Sequence, residues 1–393
     1  MDRPDWERAA EQDLARLREK HLFRQRRVVR PIDATHVEVG ARPCVNFASN
    51  NYLGLTHHPA VVGAAEEALR RHGAGSGAAA LITGYGPAHA SAVRRIAAWK
   101  AAQAAVLLPS GYQANVAAVQ TLAAIGEHGG GCRFLLDKLA HASLIDAIRA
   151  AGAPYRVFPH NHLAKLDRLL AEAEPRELQV VVTEAIFSMD GDAADLTGLA
   201  ALKARRPFVL LLDEAHASGV YGPDGAGLAA EVGLQAIVDV SIVTLSKALG
   251  SAGGAVCGSE TFCNAVVNHG RAYIYSTHLP PSAAAAAEAA IQVMAHEPQR
   301  QRRVRDLAAR VRSELTVCGI ALPAGDSPII PIILQNEQAA LEAARVLQDQ
   351  GLWVLPIRPP TVPRGTSRLR VTLSSEHSDG EVAQLICALA SFR

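Results

Sequence analysis

Val209-Leu210-Leu211-Leu212-Asp213-Glu214-Ala215-His216 is the stretch that decides the fold. A short apolar run stops on two acids and, one alanine later, a histidine. The same grammar recurs on either side. Val180-Val181-Val182-Thr183-Glu184 leads into Phe187-Ser188-Met189-Asp190-Gly191-Asp192, and Ile242-Val243-Thr244-Leu245 leads into Ser246-Lys247, with Gly250, Gly253 and Gly254 behind. Further apolar runs at 105–109 and 134–137 alternate with alanine-rich stretches at 89–99, 113–124 and 143–151. Short runs alternating with helical segments predict an α/β fold, a mostly parallel sheet covered on both faces.

Outward from that sheet the pattern changes twice. Residues from about 7 to 21 are charged and periodic and read as an exposed helix, followed by Arg24, Arg26, Arg27 and Arg30. Pro280-Pro281 opens a new regime: a helical stretch over 282–317, a strand at 329–334, a helix at 337–350, strands at 353–357 and 368–373, and a last helix at 379–390. The expected organisation is an N-terminal helix and arm (1–50), a large sheet domain (51–280) and a smaller C-terminal α+β domain (281–393).

With 393 residues, 49% of them apolar and 20% charged, the chain has the composition of a globular enzyme. A formal net charge of +1 offers no footprint for nucleic acid or an anionic membrane. The six cysteines are scattered without a C-x-x-C pair, which argues against a zinc site or disulfide framework and for reduced thiols. Met1–Glu7 is charged and lacks an apolar core, and the apolar runs are too short to span a bilayer. A cytoplasmic enzyme with small-molecule substrates is expected, with no metal.

In open α/β sheets ligands bind beyond the carboxyl ends of the strands. Acid, histidine, hydroxyl and lysine would converge there. A pyridine cofactor needs an acid to keep its ring nitrogen protonated, a lysine to hold it as an imine, and donors for its phosphate. Each feature alone is ambiguous, since an acid after a strand is often only a helix cap. Their order describes a specific device.

Asn51-Tyr52-Leu53-Gly54-Leu55, His141-Ala142-Ser143-Leu144, Phe187–Asp192, Asp213–His216, Thr244–Gly250 and Tyr275-Ser276-Thr277 occur in sequence order over about 50–374. This series resembles the α-oxoamine synthases, a family of fold-type-I enzymes dependent on pyridoxal 5′-phosphate (PLP). The resemblance implies that Lys247 is the Schiff-base lysine, that Asp213 pairs with the pyridinium nitrogen, that His216 and Ser188 hydrogen-bond the phenolic oxygen, and that His141 stacks on the ring. Gly111 and Tyr112, after Ser110, lie where a helix N-terminus would take the phosphate, and Thr244 would add a hydroxyl. Ser276 and Thr277 would reach the phosphate from a partner subunit, which implies a homodimer with shared active sites.

The segment 357–370, Ile-Arg-Pro-Pro-Thr-Val-Pro-Arg-Gly-Thr-Ser-Arg-Leu-Arg, is most similar to the branch that joins L-alanine to a pimeloyl thioester, carried by CoA or acyl carrier protein, in biotin synthesis. By that resemblance Arg370 would bind the amino-acid carboxylate, and Arg24, Asn50 and Thr361 would contact substrate. The alternative is a sister synthase that uses glycine or serine with another acyl-CoA, of the 5-aminolevulinate, 2-amino-3-ketobutyrate or 3-ketosphinganine type. A catalytically dead scaffold is the rival from another class, and the presence of Lys247, Asp213 and His141 argues against it. Two departures from the family pattern stand out: Ala78-Ala79-Ala80 after Gly75-Ser76-Gly77, and His278 after Ser276-Thr277.

Overall fold

A computed structural model describes residues 5–392; Met1–Pro4 and Arg393, parts of the expected N-terminal arm and C-terminal domain, lie outside the described residues. The chain divides into two compact units. The larger takes in Asn50–Ser188 and Asp192–Arg305. The smaller takes in the described residues up to Ser49, Met189–Gly191 and those from Asp306 on.

The larger unit is built on a seven-stranded sheet: β1 (Ala104–Leu108), β2 (Cys132–Asp137), β3 (Tyr155–Phe158), β4 (Leu178–Glu184), β5 (Val209–Asp213), β6 (Val240–Thr244) and β7 (Gly254–Gly258). Their spatial order is β1-β7-β6-β5-β4-β2-β3. The run from β6 to β3 is parallel, and β7 is antiparallel to both its neighbours, β1 and β6. Continuous apolar sequence makes sense of this burial: Val180, Val181, Val182, Leu210, Leu211 and Leu212 are all inaccessible to solvent. Helix α1 (Gly111–Gly129) lies on the sheet through Ala114, Ala117, Ala118 and Val119, also fully buried. Small side chains allow that close approach.

Two elements differ from the sequence reading. The stretch 282–317 is two helices, Pro281–His296 and Pro298–Val317. Pro298 has no N–H to donate and its ring clashes with the preceding turn, so the first helix ends before it. That first helix buries Ala284, Ala287 and Ala290 and packs on the helices Pro59–His72 and Pro87–Trp99, so the larger unit runs on past residue 280. The strand read at 353–357 is also two. Leu352–Trp353 pairs in parallel with Val45 and Asn46, and Leu355–Ile357 pairs with Ser367–Thr372. The first pairing draws the segment before Asn50 into the smaller unit, which holds one four-stranded and one three-stranded sheet.

Asp213 and Glu214 are neighbours whose side chains serve different ends. Glu214 is buried against Lys100, whose ammonium also donates to the Ala226 carbonyl. Glu214 further accepts from the Ala229 N–H at 3.1 Å and the Ser241 hydroxyl at 3.2 Å. With side chains only 3% and 2% exposed, this is an ion pair whose members cannot be rehydrated singly. Removing one partner of such a pair costs about 3–5 kcal/mol, whereas neutralising both costs far less. Lys100→Met is therefore expected to lose about 3–5 kcal/mol of unfolding free energy in urea. Adding Glu214→Gln, which keeps an acceptor for the Ala229 N–H and offers an amide N–H to the Ser241 hydroxyl, should recover most of it. Equal losses in single and double variants would refute the pairing argument.

Candidate active site

Strand register brings the polar residues to one edge. Glu184 stands opposite Asp213, and Asp213 opposite Ile242. Thr244 ends β6 opposite Gly254, which begins β7, and Lys247 lies in the loop that joins them. The loop is closed by Leu245 N–H donating to the Gly253 carbonyl and Gly250 N–H donating to that of Lys247, both at 2.9 Å. Gly250 has φ +63°, and a Cβ there would stand 2.5 Å from the Thr56 nitrogen. A larger residue would displace the loop.

Two hydrogen-bonded chains meet at this edge. In the first, Lys247 Nζ is 2.8 Å from His216 Nε2, His216 Nδ1 is 2.6 Å from the Tyr52 hydroxyl, and that hydroxyl donates to Asn50 Oδ1 at 3.2 Å. With Tyr52 donating to Asn50, the proton of His216 sits on Nδ1 and Nε2 accepts from Lys247. In the second, the Asn115 amide donates to Asp213 Oδ2 at 2.8 Å and to Ser143 Oγ at 2.9 Å, while Ser143 Oγ lies 2.8 Å from His141 Nδ1. Ala215 N–H donates to Asp213 Oδ1 at 2.9 Å. Asp213 is thus a buried carboxylate fixed by donors on both oxygens and tied through Asn115 and Ser143 to His141.

Burial pushes the Glu184 carboxyl well above the usual range, and the neighbouring charge of Asp213 pushes it further. The Lys247 ammonium and the N–H groups of His141 and Ser188 oppose this without overcoming it. Glu184 therefore holds its proton to higher pH than an ordinary carboxyl does, beside the Asp213 carboxylate. His141 is exposed at the mouth of the edge yet surrounded by protein below, and burial together with Lys247 lowers its imidazole against the pull of Asp213. A neutral, accessible ring at the start of helix Ala142–Ala151 is a platform on which another ring can lie.

Gly111 opens α1 with Ser110 as its cap, the Ser110 hydroxyl accepting from Gln113 N–H at 3.1 Å. A Cβ on Gly111 would stand 2.3 Å from Thr244 Oγ1, so glycine leaves a small cradle between the helix start and a hydroxyl. Helix N–H groups and a hydroxyl facing such a gap suit a phosphate. Together with a fixed carboxylate and an amine on the same edge, the donor set fits a pyridine aldehyde phosphate. Tyr112 is exposed and its hydroxyl donates to Asp146 at 2.9 Å.

The remaining expected residues fall as follows. Ser188 is buried within the loop after β4. Ser276 Oγ accepts from the Gln113 side chain of its own chain at 3.0 Å, beside the α1 start, and Thr277 is exposed. The two departures from the family pattern prove to be neighbours: Ala79 and Thr277 form a β-bridge, and His278 N–H donates to the Ala78 carbonyl at 3.0 Å. The His278 ring is buried 4.5 Å from that of His89 and is lowered to about 4 by burial and by His89. In the smaller unit, Arg370 is buried on the strand Ser367–Thr372. Arg368, on the same strand face, is engaged by Asp190 at 2.6 Å. Arg24 donates to the Pro359 carbonyl at 3.1 Å, two residues from the exposed Thr361, so these two candidates share a neighbourhood.

Three residues of this edge had no role in the sequence reading. Tyr52 lay in a quoted motif, but nothing in a motif tells which side chain meets His216. Asn115 was hidden in an alanine-rich helix, where a polar residue four positions after Gly111 was the available signal. Glu184 was seen only as a strand terminus. A concavity of about 740 Å³, lined by Lys100, Gln103, Leu122, Glu214 and Cys257, extends from the starts of β5 and β6 to Glu214. Its buried charges are already paired, and it holds none of the residues above.

The state of Glu184 has a measurable sign. Unfolded, it ionises above about 4.5; folded, it keeps its proton to higher pH, so stability falls as pH rises past 4.5 towards the folded value. Glu184→Gln removes that penalty. The variant is expected to gain melting temperature relative to the parent between pH 4.5 and pH 8. A constant difference across that range would mean that Glu184 is ionised in the fold.

The aminotransferase class I and II family model matches residues 42–389. The 8-amino-7-oxononanoate synthase of Anaeromyxobacter dehalogenans strain 2CP-1 is 44% identical over 379 residues, 96% of this chain and 94% of its own. That of Maricaulis maris is 40% identical over 386 residues, 98% of this chain and 96% of its own. Among solved structures, the serine palmitoyltransferase of S. paucimobilis, with a bound PLP–myriocin adduct, superposes with a TM-score of 0.91 at 27% identity, covering 99% of this chain and 98% of its own. The 8-amino-7-oxononanoate synthase of Francisella tularensis gives 0.75 at 25% identity, covering 88% and 97%. With the edge chemistry described above, these likenesses establish that the chain belongs to the aminotransferase class I and II family, on its α-oxoamine synthase branch beside the 8-amino-7-oxononanoate synthases.

Proposed function

We propose that this protein is a PLP-dependent acyltransferase that condenses L-alanine with a pimeloyl thioester, losing CO₂ and the thiol, to give 8-amino-7-oxononanoate in biotin biosynthesis. The observation that carries this reading is the 44% identity over nearly the whole chain to a synthase of that name. The fixed Asp213 carboxylate beside the Lys247–His216 pair supports it chemically. Fold similarity alone does not choose among branches, because a serine palmitoyltransferase superposes with a TM-score of 0.91 and an oxononanoate synthase with 0.75. Sequence favours the oxononanoate branch: several of its synthases reach 37–44% identity, though that of Francisella tularensis is at 25%, whereas the palmitoyltransferases are at 26–29%.

PLP, when bound, supplies an electron sink for the pair left at the amino acid's Cα when a proton or CO₂ departs. Lys247 would hold it covalently, and the same amine, when free, would be the base for the amino acid's Cα proton. Asp213, fixed by Asn115 and Ala215, holds a proton on the ring nitrogen. His216 and Ser188 serve the phenolic oxygen, with Tyr52 and Asn50 fixing the orientation of His216. His141 lies against the ring and Asn50 also faces the substrate. Gly111, Tyr112 and Thr244 surround the phosphate. By the family resemblance, Arg370 would bind the alanine carboxylate, and Arg24 and Thr361 would contact substrate.

Ser276 and Thr277 complete the phosphate site of a second copy, so the working unit is a homodimer. Apolar exposure supports this: Leu81, Ile82, Tyr85 and Tyr275 are 51%, 75%, 44% and 71% exposed on two segments joined by the Ala79–Thr277 bridge. Six free cysteines fit a reducing cytoplasm. No helix among the described residues is long and apolar enough to cross a membrane.

The test is the product. The protein is incubated with L-alanine, glycine or L-serine against pimeloyl-CoA, pimeloyl-acyl carrier protein, succinyl-CoA, acetyl-CoA and palmitoyl-CoA, and products are identified by mass. Alanine with a pimeloyl donor should give 8-amino-7-oxononanoate at the highest kcat/KM, and the two pimeloyl arms identify the carrier. Preferential formation of 5-aminolevulinate, 2-amino-3-ketobutyrate or 3-ketosphinganine would assign the chain to a sister activity instead.

A further inference from the structure

His160 lies outside the edge chemistry, in the loop after β3, and is held more tightly than a loop residue needs to be. Its Nδ1 is 3.0 Å from Asp137 Oδ1 and its Nε2 is 2.6 Å from Asp192 Oδ2. Both ring nitrogens face carboxylates, an arrangement that suits only the doubly protonated ring. The Phe187 ring stands edge-on to it with centroids 4.3 Å apart. Asp137 and Asp192 are the titratable groups that face it; the Asn161 amide is the other polar neighbour, at 3.3 Å from Nε2.

The two aspartates sit in different loops. Asp137 ends β2, and its Oδ1 also accepts from Leu139 N–H at 2.9 Å, which shapes the turn leading to His141. Its Oδ2 accepts from Asn161 N–H at 3.0 Å. Asp192 closes the loop after β4, where Phe187 N–H donates to the Asp192 carbonyl at 2.9 Å, next to Ser188. Asn161 reinforces the same link by donating to the Ala193 carbonyl at 2.9 Å. On the inner side, the buried Glu184 carboxyl is influenced by the N–H groups of both His141 and Ser188, while its Oε1 has no hydrogen-bond partner. The two loops are therefore tied together from without by His160 and Asn161.

We propose that His160 is a positioning residue: as an imidazolium bridging Asp137 and Asp192, it sets the spacing between the loop that carries His141 and the loop that carries Ser188, and so the fit of the cofactor ring between them. This rests on the functional reading above. Burial alone would lower the imidazole, but hydrogen bonds and charge from the two aspartates raise it to about 10. A raised histidine stabilises the fold fully below its unfolded value near 6.5 and loses that contribution as pH rises through about 10.

The test compares the full-length protein with His160→Gln, Asp192→Asn and the double variant. Melting temperature is followed from pH 6 to pH 10.5, and PLP affinity and absorbance spectrum are measured at pH 7.5. kcat and KM are measured for alanine and the acyl donor. His160→Gln should melt lower than the parent at pH 6, with the gap closing towards pH 10, and the effects of the two single changes should be non-additive. PLP affinity should fall by about tenfold, the spectrum should shift, and kcat should fall while KM for the acyl donor holds. A pH-independent gap, or additive effects, would overturn the bridge. A bridge present in the melts but without effect on PLP affinity, spectrum or kcat would make it a purely structural brace and overturn the positioning role. The melts need neither PLP nor substrate, so a parent protein that binds no PLP would overturn the functional reading and the positioning role while still reporting on the bridge.

Discussion

The arrangement depends on one buried negative charge. Asp213 ends a fully buried strand, and its carboxylate is held by the Asn115 amide and the Ala215 N–H. Placing such a charge at a sheet edge is costly unless donors and a cation answer it. Burial and the Asp213 charge together push the neighbouring Glu184 carboxyl well above its usual range, which disfavours a second negative charge beside the first. A single fixed anion, with an amine on the next loop, is what a protonated pyridine ring requires. The His141–Ser143–Asn115 chain ties the ring-stacking platform to that same anion, so position and charge are set together.

Strand geometry separates function from stability within two residues. Successive side chains on a strand point to opposite faces. Asp213 faces the edge where ligands bind, and Glu214 turns to Lys100 in a closed structural pair. The first carboxylate is left for chemistry and the second is satisfied within the fold. The hairpin from β6 to β7 repeats the economy: antiparallel pairing of Thr244 with Gly254 forces a short loop, and that loop presents Lys247.

Much of this was legible in the sequence because strand termini and polar residues coincide in it. The runs ending at Asp137, Glu184, Asp213 and Thr244 form strands within two residues of their expected limits. The break at Pro298 was blurred by helical composition on both sides. The antiparallel hand of β7 was not legible, since pairing direction leaves no mark in a glycine-rich run. Tyr52, Asn115 and His160 were missed for a common reason. Each acts through a partner more than twenty residues away, and only the folded register brings the two together. The motif residues were legible through resemblance; their supports were not.

The central claim is that Lys247 is the amine that holds the cofactor. Reduction of the PLP-loaded protein with borohydride, followed by proteolysis and mass mapping, tests it directly. The account predicts one pyridoxyl-modified peptide, with the modification on Lys247. A label on Lys100, Lys138 or any other lysine, or a stoichiometrically loaded protein that takes no label, would contradict it.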